Sequence, residues 1–237
     1  TDTVAETKYK YNTVFSNILS GAVPIGKNNA TSLTDGIKIY GMTNNTTEVT
    51  AWDKDTYSVT AVNNTLTVSD KGYAGNTKKS AFAYLVFDEA ITSGVYKIAG
   101  SISLSNFGNG TDKDTTTGNW SPLQLISNDS VVASDTFATL RTSKNKELGL
   151  CNATSGDVVA GKGLEYVAGT EYAFEIIVDL DSKEVSLSFS IGDKQYKETV
   201  SITAEKWAGI KLQTADSADR TVVLKNLVIS QRVVDEG

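Results

Sequence analysis

The chain contains no histidine. That absence removes Ser-His-Asp and Cys-His nucleophilic catalysis, together with every zinc site built on imidazole. Cysteine is reduced to Cys151, so no intramolecular disulfide can form. It lies in GLCNATSG, after a strand-like segment and with no base or cation beside it, which suits a partly buried structural thiol and not a nucleophile. Proline is limited to Pro24 and Pro122, and arginine to Arg141, Arg220 and Arg232. No apolar run approaches the roughly 18 residues of a spanning helix, so membrane insertion is not expected. Basic stripes are missing too. The net charge is −6 and the lysines are dispersed, an acidic balance that repels phosphate backbones and anionic lipid surfaces. Nucleic acid is therefore not an expected partner.

What remains is a chain of 237 residues, 40% of them hydrophobic, rich in Thr, Ser, Asn, Asp and Gly. Such a mixture favours many short strands joined by polar turns. The clearest pattern is in GVYKIAGSISLS, where Tyr96, Ile98, Ile102 and Leu104 fall on one face and Lys97, Ala99, Ser101 and Ser103 on the other. The same period of two recurs in EYAFEIIVDL and in EVSLSFSIG, with DLDSKE between them as a hairpin turn. Further strands are predicted at 37–42, 65–69, 80–88, 122–127, 134–142, 208–214 and 221–230. No long amphipathic helix competes with them. Two antiparallel sheets packed face to face bury so many single-faced strands, and the expected fold is an all-β, jelly-roll-type sandwich. With no internal repeat and no linker, residues 26–237 read as one domain. Residues 1–25 read as a polar N-terminal leader followed by one short element, helix or strand.

The order FAYLVFD, GVYKIAGSISLS, WSPLQLISNDSVVASDTFATLRTSKNKELGL, YVAGTEYAFEIIVDLDSKEVSLSFS and VVLKNLVIS resembles the jelly-roll carbohydrate-binding modules of bacterial cell-surface polysaccharide-utilisation proteins. The resemblance covers roughly residues 80–230 and rests on strand patterning. In its Ser/Thr/Asn-rich, Lys-over-Arg style the chain is also similar to starch-binding surface proteins of gut Firmicutes. The resemblance implies a secreted or cell-surface, monomeric, non-catalytic protein that binds polysaccharide, with starch or another neutral glucan as the ligand.

Sugar recognition needs flat rings to stack on pyranose faces and polar groups to bond hydroxyls. Trp52, in EVTAWDKDTYS, and Trp120, in TTTGNWSPLQ, are flanked by turn residues and are candidate platforms. Trp207, at a strand entrance, is a third. For each the alternative is packing in the core or at its rim. Tyr73, with Asn76, Lys78 and Lys79 in the same loop, could support a bound sugar or belong to a solvated loop. Asp112 and Asp114, in SNFGNGTDKDTTTGN, are spaced to converge on a structural Ca²⁺ or to stand free in a solvated loop, without the later Gly and Glu of an EF-hand.

Catalytic alternatives are thinner. Asp179, Asp181 and Glu184 form D-x-D-x-x-E, which resembles the acidic signature of jelly-roll glucanases with its first Glu replaced by Asp. Here the turn falls at 181–183, so the acids splay around a hairpin tip and leave no paired carboxylates facing one cleft. A jelly-roll lyase would need a base and cations to neutralise a uronate, and His is absent while Arg is scarce. A structural or adhesive module is the remaining rival.

Overall fold

The computed structural model describes residues 2–43, 57–70, 80–105, 120–130, 135–143, 146–152, 160–214 and 220–237. In chain order the strands are β1 (Tyr9–Phe15), β2 (Thr31–Thr34), β3 (Ile37–Thr43), β4 (Tyr57–Val62), β5 (Thr65–Asp70), β6 (Ala81–Ile91), β7 (Val95–Leu104) and β8 (Trp120–Ile126). They continue with β9 (Thr136–Ser143), β10 (Glu147–Cys151), β11 (Leu164–Glu165), β12 (Glu171–Asp179), β13 (Glu184–Ile191), β14 (Lys194–Ser201), β15 (Trp207–Gln213) and β16 (Arg220–Val234). A 3-10 turn at Lys27–Asn29 precedes β2.

Two eight-stranded antiparallel sheets result. The first runs β14-β13-β12-β7-β16-β5-β4, with β1 added to β16; the second runs β11-β10-β9-β8-β15-β6-β3-β2. This is the antiparallel jelly-roll sandwich that the period-two segments predict. The alternating residues fall as expected: Ile98, Ile102, Phe174, Ile176, Val178, Val185, Leu187 and Phe189 are all buried in the inter-sheet core. From the second sheet Ile37, Ile39, Leu85, Leu123, Leu125, Leu140, Ile210 and Leu212 meet them. Each such side chain contributes about 1.5–3 kcal/mol by leaving water, enough in sum to define which face of every strand turns inward.

The N-terminal expectation needs correcting. Residues 9–15 are a strand of the sandwich, paired from Tyr9 opposite Val234 to Phe15 opposite Ile229. Phe15, Ile18 and Leu19 enter the core, so the sandwich begins well before residue 26. Cation–ring contacts hold the edge, with Lys97 Nζ 4.3 Å from the Tyr11 ring centre and the Arg232 guanidinium 4.2 Å from that of Tyr9.

Candidate functional site

The expected site residues do not come together as a described site. Trp52, Tyr73, Asn76, Lys78, Asp112 and Asp114 lie outside the described residues. Trp120 is described and offers no open face. It begins β8 with its ring turned into the core, 2% exposed, and its Nε1–H donates to the Gln213 carbonyl at 2.7 Å. The Arg220 guanidinium, from the opposite sheet, stacks 4.7 Å from the ring centre. A loop–strand junction leaves the facing of its first residue open, and the pairing of Trp120 with Thr142 settles it inward. Trp207 is fully buried as well, its Nε1–H given to the Gly209 carbonyl at 2.9 Å and its ring edge-on to Phe87 at 4.7 Å.

Arg141 is 3% exposed and donates from Nη1 to the Ser121 hydroxyl. The D-x-D-x-x-E acids build a turn. Asp179 Oδ1 accepts the backbone N–H groups of Asp181 at 3.1 Å and Ser182 at 2.8 Å, and Asp181 Oδ1 accepts that of Gly94 at 2.9 Å. No group of three or more Cys, Asp or Glu side chains among the described residues is arranged to hold a metal ion.

A different cluster stands out, on the outer face of the second sheet. On β3, β6, β15, β8, β9 and β10 the residues alternating with the core positions form a cross-strand row. Tyr40 pairs with Tyr84, Tyr84 with Lys211, Lys211 with Gln124, Gln124 with Thr139, and Thr139 with Cys151. At the usual strand spacing this row spans about 24 Å. A neighbouring row carries Met42, Phe82 and Gln213, with Arg141 further along. Tyr40, Met42, Phe82, Tyr84 and Ile126 form a hydrophobic cluster separate from the main core.

Aromatic and polar halves meet in the middle of the face. The Tyr40 and Tyr84 rings stack at 4.8 Å with 5° between their planes. Beside them Lys211 Nζ lies 4.7 Å from the Phe82 ring centre and 5.4 Å from that of Tyr84. Gln124 ties the polar half together. Its Nε2 donates to Gln213 Oε1 at 2.7 Å and to the Ser121 carbonyl at 3.0 Å, and its Oε1 accepts from Thr136 Oγ1 at 2.7 Å. At the tyrosine end the turn after β8 supplies acids. Tyr40 Oη donates to the Asp129 carbonyl at 3.2 Å, Asp129 holds Lys27 at 2.7 Å, and Asp135 accepts from Ser130 Oγ.

Burial sets the charge state here. Desolvation lowers the Lys211 ammonium from its ordinary 10.5 to about 8, with Asp135 opposing the shift. The Tyr84 phenol is pushed well above its ordinary value, first by burial and then by Asp129 and Asp135. At neutral pH Lys211 is still mainly a cation.

This site was hidden in the sequence because its residues come from strands read as plain core. One signal was available: in IKIYGM and AFAYLVF both alternating sets are apolar or aromatic, which means both faces of the strand are buried.

No protein-family model matches the sequence, and no curated protein is similar to it in sequence. Solved structures do share its fold. A Lotus tetragonolobus seed lectin superposes with a TM-score of 0.50 at 11% identity, covering 85% of this chain and 95% of the lectin. The lectin UEA-II, complexed with galactose, gives 0.52 at 10% identity over 93% of this chain and 99% of its own. A family 7 alginate lyase with bound product gives 0.54 at 14% identity over 83% of this chain and 95% of the lyase. At these identities the likeness is one of fold.

Proposed function

We propose that the protein binds polysaccharide, without catalysis, through the outer face of its second sheet. The observation that carries this reading is the row Tyr40–Tyr84–Lys211–Gln124–Thr139. It sets stacked aromatic rings beside a fixed amide and hydroxyl network, the combination of groups that sugar recognition uses. The structural neighbours add support, since two are lectins, one of them holding galactose, and a third is an alginate lyase with its product. For a non-catalytic role the support is chemical: the chain has no histidine, and Asp179 and Asp181 are engaged in the hairpin. A secreted or cell-surface setting and a monomeric state follow from the resemblance and belong to the same proposal.

Starch, or another neutral glucan, is the ligand that the resemblance implies. With Trp120 in the core, stacking through a tryptophan now rests on Trp52.

Affinity electrophoresis of the whole chain in gels containing starch, other neutral glucans and acidic glycans tests the binding. Retardation by at least one glycan is expected, and migration unchanged by all of them would sink the reading. Incubation with the retarding glycan should release no new reducing ends and no 4,5-unsaturated products; either product would make the protein an enzyme.

A further inference from the structure

Lys211 is the least satisfied charge on the outer face of the second sheet. It is 4% exposed, and its ammonium makes no hydrogen bond or ion pair among the described residues. Only the Phe82 and Tyr84 rings attend it, with Asp135 acting at longer range. A buried ammonium without a bonded partner is costly, and a position needing volume alone would be better served by Met or Leu.

Its surroundings point the same way. Although the chain carries a net charge of −6, the strands in the middle of this face place no carboxylate on it. Between them β15, β8 and β9 contribute Lys211 and a second buried cation, Arg141. Gln213, two residues along β15 from Lys211, adds an amide to the same face. Among the described residues, the acids at its tyrosine end sit off the strands and have partners of their own: Asp129 holds Lys27, and Asp135 accepts from Ser130.

Resting on the reading of this face as the sugar-binding surface, we propose that Lys211 anchors an anion subsite there, so that the bound glycan carries carboxylate or sulfate groups. The ammonium offers three N–H donors, and an anion both fills them and cancels the buried charge. A neutral hydroxyl fills a donor and leaves the charge. Arg141, bonded to Ser121, adds positive charge further along the face.

Among the described residues, the groups on this face that could titrate or carry charge are Tyr84 on β6, Tyr40 on β3, Asp129 and Asp135 in the turn between β8 and β9, Arg141 on β9 and Cys151 on β10. Tyr84 ionises far above neutrality, and burial brings the Lys211 ammonium down to about 8.

The test is calorimetric titration of the whole chain with oligogalacturonate, a sulfated oligosaccharide and malto-oligosaccharides, each at pH 7 and pH 9. One acidic series should bind at least about tenfold more tightly than the neutral one, and which of the two does so identifies carboxylate or sulfate. That advantage should shrink at pH 9. In Lys211→Met it should fall by about tenfold or more, and Lys211→Arg should keep it. Should Lys211→Met not fold, the wild-type preference and its pH dependence decide alone. If malto-oligosaccharides bind as well as both acidic series, or if Lys211→Met keeps the acidic preference, the anion subsite is wrong while polysaccharide binding stands. If no glycan binds at all, both fall.

Discussion

The two sheets present opposite outer faces to their surroundings. That of the first sheet carries mainly small polar groups, Ser58 and Thr60 on β4, Thr65, Thr67 and Ser69 on β5, Ser101 and Ser103 on β7, and Ser186, Ser188 and Ser190 on β13, with solvent-facing charges such as Lys97, Glu171 and Glu175 among them. These are exposed or half-buried, and their bonds are local, as between Ser69 and Thr221 at 2.7 Å. The corresponding positions of the second sheet carry Tyr40, Phe82, Tyr84, Gln124, Arg141 and Lys211, all buried. Both sheets supply the same sandwich with the same kind of inner face. What differs is the demand on the other side. Ser and Thr satisfy a pleated surface that needs only solubility, whereas a buried cation among packed rings adds cost that stability alone does not require.

The comparison can be broken by mutation. Tyr84→Ala removes a buried ring stacked on Tyr40 and should destabilise the protein by about 3–5 kcal/mol in urea unfolding. A loss under about 1 kcal/mol would mean that the outer face is not packed as a second core.

Gln124→Leu keeps the volume but strands Thr136 Oγ1 and Gln213 Oε1, and should cost about 1–3 kcal/mol. An unchanged denaturation midpoint would show that the network contributes nothing.

Lys211→Met should act in the opposite direction at pH 7, stabilising by on the order of 1–3 kcal/mol because an unpaired buried cation disappears. The sign with pH follows from the lowered Lys211 value. Below pH 8 the folded ammonium is charged and its desolvation penalty is complete. Between about 8 and 10.5 the unfolded chain binds the proton that the folded chain has lost, so wild-type stability rises with pH relative to Lys211→Met. Thermal unfolding of both proteins at pH 7 and pH 9.5 measures the convergence, and parallel profiles would refute the assignment.

Ser188→Ala, on the outer face of the first sheet, should change stability by less than about 0.5 kcal/mol. A larger loss would show that this face, too, carries a built network.

The hairpin of β12 and β13 was legible to the residue, since Val185, Leu187 and Phe189 alternate with serines and the turn residues stand between the strands. Strand β14 was not read, because KQYKETVS offers only Tyr196 and Val200 as inward-leaning apolar residues and looks like a solvated loop. The first half of β1 was read as a polar leader and its end as a short helix or strand for a similar reason: in YKYNTVF only Phe15 is buried, and the strand is held by its pairing with β16. Of the site, Trp120 was legible as a large ring at a strand entrance, but not the direction in which that ring points.

The sequence by itself determined the architecture, because a period of two in apolar side chains decides which face of each strand leaves water, and that decision is local. The absence of histidine and the lone cysteine likewise limited the chemistry without reference to any fold. Only the tertiary structure decided that Tyr40, Tyr84, Lys211, Gln124 and Thr139 share one row. Their meeting depends on strand order and register across residues far apart in the chain, and a shift of one residue in any pairing would send a side chain to the opposite face.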